Sequence, residues 1–264
     1  MSGMSVDSGN LRVRLLPSAV SGDGTMQYAT SYLVGDSVAI DAGSVGLHGG
    51  VEAQRRVRHV LLTHSHTDHI ASLPILLENT LSQDGPPLEV WAGKETLACL
   101  EGDVFNDRVW PRLEILKRKV GPAMVMHELE SEREVDVGGL RVLPIRVDHT
   151  VPTLAFLVST ARASAVIAGD TGPTERLWQI AEKVPGLAAV FLEASFPDEL
   201  HEIARRSMHL TPRSFALERA KLKRELAFVA VHLKPRFREQ IVAELQALAI
   251  PGLEIGVPGK EYRW

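Results

Sequence analysis

A single cysteine, Cys99, occurs in 264 residues, so no intramolecular disulfide can staple this chain. Its setting, "ETLACL", suits a small buried side chain better than a reactive thiol. No apolar run approaches the ~18 residues of a membrane span. The opening "MSGMSVDSGN" is polar and lacks the apolar core of a secretory leader. A soluble cytoplasmic protein with no membrane partner is therefore expected. An excess of basic residues is also missing: 29 Lys and Arg stand against 33 Asp and Glu, a net charge of −4. Proteins that grip long nucleic acid usually carry a basic footprint, so no stable nucleic-acid partner is expected. A small anionic substrate stays compatible, because local charge decides its binding.

What is present reads as one α/β domain over residues 11–264, after a disordered tail at 1–10. Short β-rich runs come first: "LRVRLLP", "ATSYLVG" and "SVAIDAG", the last two joined by a turn at Gly35-Asp36. "HVLLTH" (59–64) is an apolar run that ends in polar residues, as a buried strand feeding a site would. A helix is predicted after Asp68, with Pro74 in its first turns. Residues 79–123 hold a strand "LEVWA" and a helix near 94–101, and are expected to form a substrate-facing insertion. Further strands follow at "LRVLPIRV", "TLAFLVS", "SAVIAG", "AAVFLE" and "LAFVAVH", with helices between and after them. Strands leading and helices following in each half suit a sheet-on-sheet core covered by helices.

The chemistry concentrates in "THSHTDH" (63–69), three histidines and an aspartate at the end of an apolar strand. Imidazole and carboxylate are the usual ligands of zinc and related cations. Side chains two apart in extended backbone point the same way, so His64 and His66 can grip one metal. Asp68 and His69 project elsewhere and suggest a second metal. One loop cannot close two sites. His149, Asp170 and His232 each directly follow an apolar strand, and would complete them, with Asp170 able to bridge. His48, His59, His127 and His201 have no such context and read as surface or core residues.

These segments resemble the metallo-β-lactamase superfamily, whose metal motif is HxHxDH. The resemblance implies an αββα four-layer sandwich with a dinuclear site at one edge of its two sheets. "FNDRVWP" (105–111), "HTVPT" (149–153), "GDTGPTERLW" (169–178), "LEASFP" (192–197), "HLTP" (209–212) and "VHLKP" (231–235) are similar to the class II cyclic-nucleotide phosphodiesterases. That likeness implies hydrolysis of 3′,5′-cyclic nucleotides by two divalent ions, zinc first, with manganese or iron as options. It places His64, His66 and His149 on one metal, Asp68, His69 and His232 on the other, and Asp170 on both. Asp68 is also expected to be catalytic, and resemblance to RNA-processing members of the superfamily makes His209 the general acid with Glu193 orienting it. Alternatively, His209 caps the helix that starts near Thr211-Pro212.

Asp41, ending "SVAIDAG", either accepts a hydrogen bond from a ligand histidine or forms a turn before Gly43. Phe105, Asn106 and Trp110 either face a base or pack inward. Thr153, Thr171 and Ser195 adjoin the candidate ligands and could touch phosphate or ribose. Seven basic residues between Arg205 and Arg224 would form a solvated face that could also attract anions. The rival reading is an RNA 3′-end endonuclease of the same superfamily, which should carry a basic, Gly-rich arm. A homodimer is compatible with either.

Overall fold

The computed structural model describes residues 10–18 and 24–264. The expected N-terminal tail therefore lies outside the described residues, apart from Asn10. Two sheets face each other. The first draws on β1 (Arg12–Leu15), β2 (Tyr32–Val34), β3 (Val38–Ile40), β4 (His59–Leu62), β5 (Leu88–Ala92) and β6 (Met124–Glu128). The second draws on β7 (Val135–Val137), β8 (Leu140–Val147), β9 (Thr153–Ser159), β10 (Ser164–Ile167), β11 (Leu187–Glu193), β12 (Ala227–Val231) and β13 (Leu253–Ile255). A last strand, β14 (Glu261–Arg263), returns to pair with β1.

The orders are β14-β1-β2-β3-β4-β5-β6 and β13-β12-β11-β10-β9-β8-β7. Both sheets share one plan. Pairing is antiparallel up to β3 in the first and β10 in the second, then parallel onward. Parallel strands deliver their C-terminal ends to one edge, where ligands bind in such sheets.

The helices are α1 (Val51–Gln54), α2 (Thr67–Ile70), α3 (Leu73–Thr80), α4 (Lys94–Cys99), α5 (Arg176–Ala181), α6 (His201–Arg206), α7 (Pro212–Ala220) and α8 (Arg238–Ala247). They cover the outer faces, which gives the αββα layering. β9 shows why. All seven of its residues are buried. Leu154, Phe156 and Val158 enter the core between the sheets, while Ala155 and Leu157 enter the layer under α5, α7 and α8. A strand apolar on both faces must be covered on both.

The helix expected after Asp68 is two helices. Ser72 breaks it, because its N–H and hydroxyl both donate to the Ala42 carbonyl, at 2.8 and 2.7 Å. Pro74 then sits in the first turn of α3, where its missing N–H costs nothing. Residues 79–123 are not wholly an insertion, since β5 is an integral strand between β4 and β6. The irregular part begins after α4, with one π-helical turn at Leu100–Val104.

Phe191 is fully buried at the centre of the inter-sheet core, with Tyr32, Tyr262 and Trp264 edge-on around it. We expect Phe191→Ala to cost about 3–5 kcal/mol. Thermal unfolding should report a midpoint lower by roughly 6–20 °C. An unchanged midpoint would deny this ring its central place.

Candidate metal centre

Asp41 leaves β3 in a left-handed conformation, φ 59°, and has no solvent exposure. A carboxylate so placed needs donors, and it has them. Oδ1 accepts the Thr63 N–H at 2.8 Å, Oδ2 accepts His69 Nδ1–H at 2.7 Å, and the Thr63 hydroxyl donates to the carboxylate at 2.9 Å. With its one proton committed, Thr63 Oγ1 can only accept from His64 Nδ1, at 3.0 Å. Both histidines are thereby fixed as Nδ1–H tautomers with Nε2 lone pairs directed outward. Gly43 allows this loop to close. A Cβ there would lie 2.0 Å from the Asp68 carbonyl oxygen.

The other ligands arrive from separate strand ends. His149 follows β8, and its Nδ1–H donates to the Met208 carbonyl at 3.1 Å. His232 follows β12 in a left-handed conformation, φ 54°. Its N–H donates to Gln27 Oε1 at 3.1 Å, its Nδ1 faces Ser195 Oγ at 2.9 Å, and its Nε2 lies 3.1 Å from Asp68 Oδ2. Asp170 follows β10 and is buried, with Oδ2 3.3 Å from His69 Nε2 and 3.9 Å from His64 Nε2. His66 differs from its neighbours. It presents Nδ1, 3.0 Å from His64 Nε2 and 3.2 Å from His149 Nε2.

The donor atoms form two groups, His64, His66, His149 and Asp170, and Asp68, His69, Asp170 and His232, each within 4.8 Å internally. All seven expected ligands are thus brought together, and Asp170 belongs to both groups. Two observations fit a pair of cations. His69 Nε2 is buried and, among the described residues, has the Asp170 carboxylate nearest it, at 3.3 Å and without hydrogen-bond geometry. Three imidazole nitrogens also converge at His66, a crowding of lone pairs that shared positive charge would relieve. Three imidazoles with one carboxylate, and two with two, suit zinc, manganese or iron.

The electrostatics agree. Burial holds His64 well below its ordinary pKa. Burial opposes charge on His69 too, but Asp170 and Asp41 outweigh it and hold the ring well above. Those carboxylates ask for positive charge at that point, and a metal answers them as a proton does. Burial works against ionised Asp170, yet His232, His69 and His64 keep its carboxyl well below the ordinary range. Asp68 is likewise held low, its burial outweighed by the His232 hydrogen bond and by His69. Ligation requires such deprotonated carboxylates.

Beside the second group lies Glu193, at the end of β11 and fully buried. Its Oε1 accepts His209 Nδ1–H at 2.7 Å and the Thr171 N–H at 2.9 Å. Its Oε2 accepts the Ser195 hydroxyl at 2.5 Å and the Leu210 N–H at 3.2 Å. The His209 ring lies 5.0 Å from that of His149 and nearly parallel to that of His232. Burial opposes a proton on His209, but Glu193 outweighs it and raises the pKa above its ordinary value. His209 does not cap α7. Thr211 does, in a capping box with Ser214.

Several expected substrate contacts are not available. Thr153, Thr171 and Ser195 have no exposure. Thr153 and Thr171 donate to the carbonyls of Val151 and Gly172, and Ser195 serves Glu193. Small hydroxyl residues beside ligands read alike in sequence whether they face a substrate or lock the loop. Phe105 is buried in the outer core. The Asn106 side chain closes its own turn, accepting from the Arg108 and Val109 N–H groups. Trp110 is partly buried against the outer core and lines a cavity beside Leu77 and Leu81 rather than the metal-ligand groups. His48, His59, His127 and His201 stand outside both groups, and His127 stacks on Trp91 and pairs with Glu89. Cys99 is partly buried, and burial together with Asp103 raises its thiol pKa, so it stays protonated. The basic stretch is largely committed internally. Arg213 pairs with Asp198, Lys221 with Glu175 and Glu218, and Arg219 and Arg224 reach backbone carbonyls.

Thr63, Met208 and Gln27 support the site but escaped the sequence reading. Thr63 carried a signal, a hydroxyl directly before a ligand. Met208 carried none, since its left-handed φ of 53° is a property of the fold.

A four-layer sandwich with convergent His and Asp ligands at one edge defines a metal-dependent hydrolase class. The family profile of the beta-lactamase superfamily domain matches residues 45–233, and the chain belongs to this family. It is 24% identical over 241 residues to a probable 3′,5′-cyclic-nucleotide phosphodiesterase of Yersinia pestis, covering 76% of this chain and 66% of that one. It is 29% identical over 154 residues to a ribonuclease Z of Mycobacterium bovis, covering 55% of this chain and 51% of that one. The chain thus spans about half to two thirds of these relatives. The crystal structure of unliganded yeast PDE1 shares the fold, with a TM-score of 0.77 at 16% identity, covering 95% of this chain and 98% of that one. No helix among the described residues is long and apolar enough to cross a membrane.

Asp41 touches no candidate cation position directly. We expect Asp41→Ala to lower metal affinity about 10–100-fold, by releasing His69 and His64 from their tautomers. Metal content after dialysis against graded chelator measures it. Wild-type retention would show that Asp41 serves only its turn.

Proposed function

We propose that this protein is a dinuclear metal-dependent phosphodiesterase that hydrolyses 3′,5′-cyclic nucleotides to 5′-nucleotides. The observation that carries the reading is the His209–Glu193 pair, a proton donor held beside two metal-ligand groups. Breaking a phosphodiester requires two things: relief of negative charge at phosphorus, and a proton for a poor alkoxide leaving group. The protein has residues for both.

His64, His66, His149 and Asp170 would hold one divalent cation, and Asp68, His69, Asp170 and His232 the other. Bound there, such ions supply charge neutralisation at the phosphoryl group and acidify water. The remaining work belongs to side chains. Glu193 fixes His209 Nδ1, so the transferable proton sits on Nε2. That proton passes to O3′ as the P–O3′ bond breaks, and Glu193 stabilises the imidazolium beforehand. Asp68 is the most open carboxylate of the cluster, with a side chain 38% exposed, and can orient the attacking water.

The relative from Yersinia pestis supports a cyclic-nucleotide substrate. The mycobacterial ribonuclease Z relatives favour the second reading, RNA 3′-end cleavage by the same machinery. The net charge of −4 and the internally paired basic stretch favour the small diester.

We expect His209→Ala to lower kcat about 10²–10⁴-fold while bound metal stays at the wild-type level. Asp170→Ala should lose both turnover and metal. Assays on cAMP, cGMP and a precursor tRNA decide the substrate. Cleavage of the tRNA alone would replace the first reading with the second.

A further inference from the structure

The two halves of the site repeat one hydrogen-bonded device. In the first, buried Asp41 takes one imidazole directly, His69, and a second through a hydroxyl, His64 by way of Thr63. In the second, buried Glu193 takes His209 directly and His232 through Ser195. The bond directions follow from proton counting. Glu193 is acceptor-only when ionised, so the Ser195 proton goes to Oε2 at 2.5 Å. Ser195 Oγ must then accept from His232 Nδ1–H at 2.9 Å. The His232 carbonyl is a second acceptor for that one proton but lies farther off, at 3.1 Å, so the shorter bond to the carboxylate takes it. His232 is left with Nε2 as its only ligand atom.

The halves differ in one respect. The Asp41 device holds two metal ligands. The Glu193 device holds one metal ligand and the proton donor. Ser195 hydrogen-bonds both His232 and Glu193, and with Glu193, His209 and His232 it is buried within one connected network.

We propose that Ser195 is a positioning residue that holds the second-metal ligand His232 and the general acid His209 in register through Glu193. Its hydroxyl is buried behind His232 and Glu193, so its effect passes through them. Its absence frees His232 to rotate or to adopt the other tautomer, and removes one of four donors from Glu193. The general-acid half rests on the phosphodiesterase reading above, and the metal-ligand half does not.

The test compares Ser195→Ala and Ser195→Thr with wild type in two measurements. Zinc titration of the apoprotein against a chromophoric chelator resolves the two equivalents. Ser195→Ala should weaken one equivalent about 10–100-fold and leave the other unchanged, as loss of a group behind a ligand does. Ser195→Thr, which keeps the hydroxyl, should restore it. At saturating metal, Ser195→Ala should lower kcat about tenfold or more with little change in KM, because acid catalysis is worth on the order of 10²–10⁴-fold and only part of it is lost. Equal weakening of both equivalents, with a fall in apoprotein melting temperature, would reduce Ser195 to a packing role and overturn the proposal. Wild-type binding of both equivalents in Ser195→Ala would also overturn it. If wild-type protein turns over no cyclic nucleotide, the substrate reading fails, while the zinc titration still decides the role of Ser195.

Discussion

Two carboxylates without solvent, Asp41 and Glu193, are the constraint on which the site depends. Burying a charge is expensive unless donors surround it, and backbone N–H groups are the cheapest donors a fold can aim. Each carboxylate takes at least one, Thr63 for Asp41 and both Thr171 and Leu210 for Glu193. The remaining lone pairs are met by hydroxyls and imidazoles. Ligand geometry is therefore a consequence of satisfying buried charge. His64, His69, His209 and His232 point where they do because their Nδ1–H groups are needed behind them.

This arrangement explains why the site spans both sheets. A parallel strand ends with its polar groups unpaired at one edge, and β3, β4, β10, β11 and β12 all end at the same edge of the sandwich. Each then supplies one or more site residues immediately after its last apolar position. The cost appears as strain. Asp41, Met208 and His232 adopt left-handed backbone without being glycine, at on the order of 1–3 kcal/mol each. Three such residues around one centre are tolerable only because a large double core holds the strand ends in place.

Much of this is legible in the sequence, and for one reason: the edge that carries the candidate site follows directly from apolar runs. β8 and β9 coincide with "LRVLPIRV" and "TLAFLVS"; four of the seven candidate ligands stand out as the clustered "THSHTDH" and three as polar residues following apolar runs. β6, β7, β13 and β14 were missed. They are short or lie at sheet edges, where one side faces solvent and the apolar signal thins. The hydroxyl residues were found but misread. Nothing in "LEASFP" distinguishes a serine facing substrate from one facing a carboxylate two residues earlier. Only the return of β12 beside β11 decides it, by placing His232 against Ser195.

The pairing of β11 with β12 also explains why His209 and His232 are linked at all. Glu193 and Val231 are register partners, so the residues that follow, Ser195 and His232, leave adjacent strand ends together. His209 reaches the same point from the loop between α6 and α7, anchored by Leu210 N–H on Glu193 and by the Thr211 cap one residue later. His209 is thus tied to the candidate metal edge by backbone on both sides of one carboxylate. The bonds that hold it, to Glu193 directly and through Leu210 and the Thr211 cap, are all made within the chain.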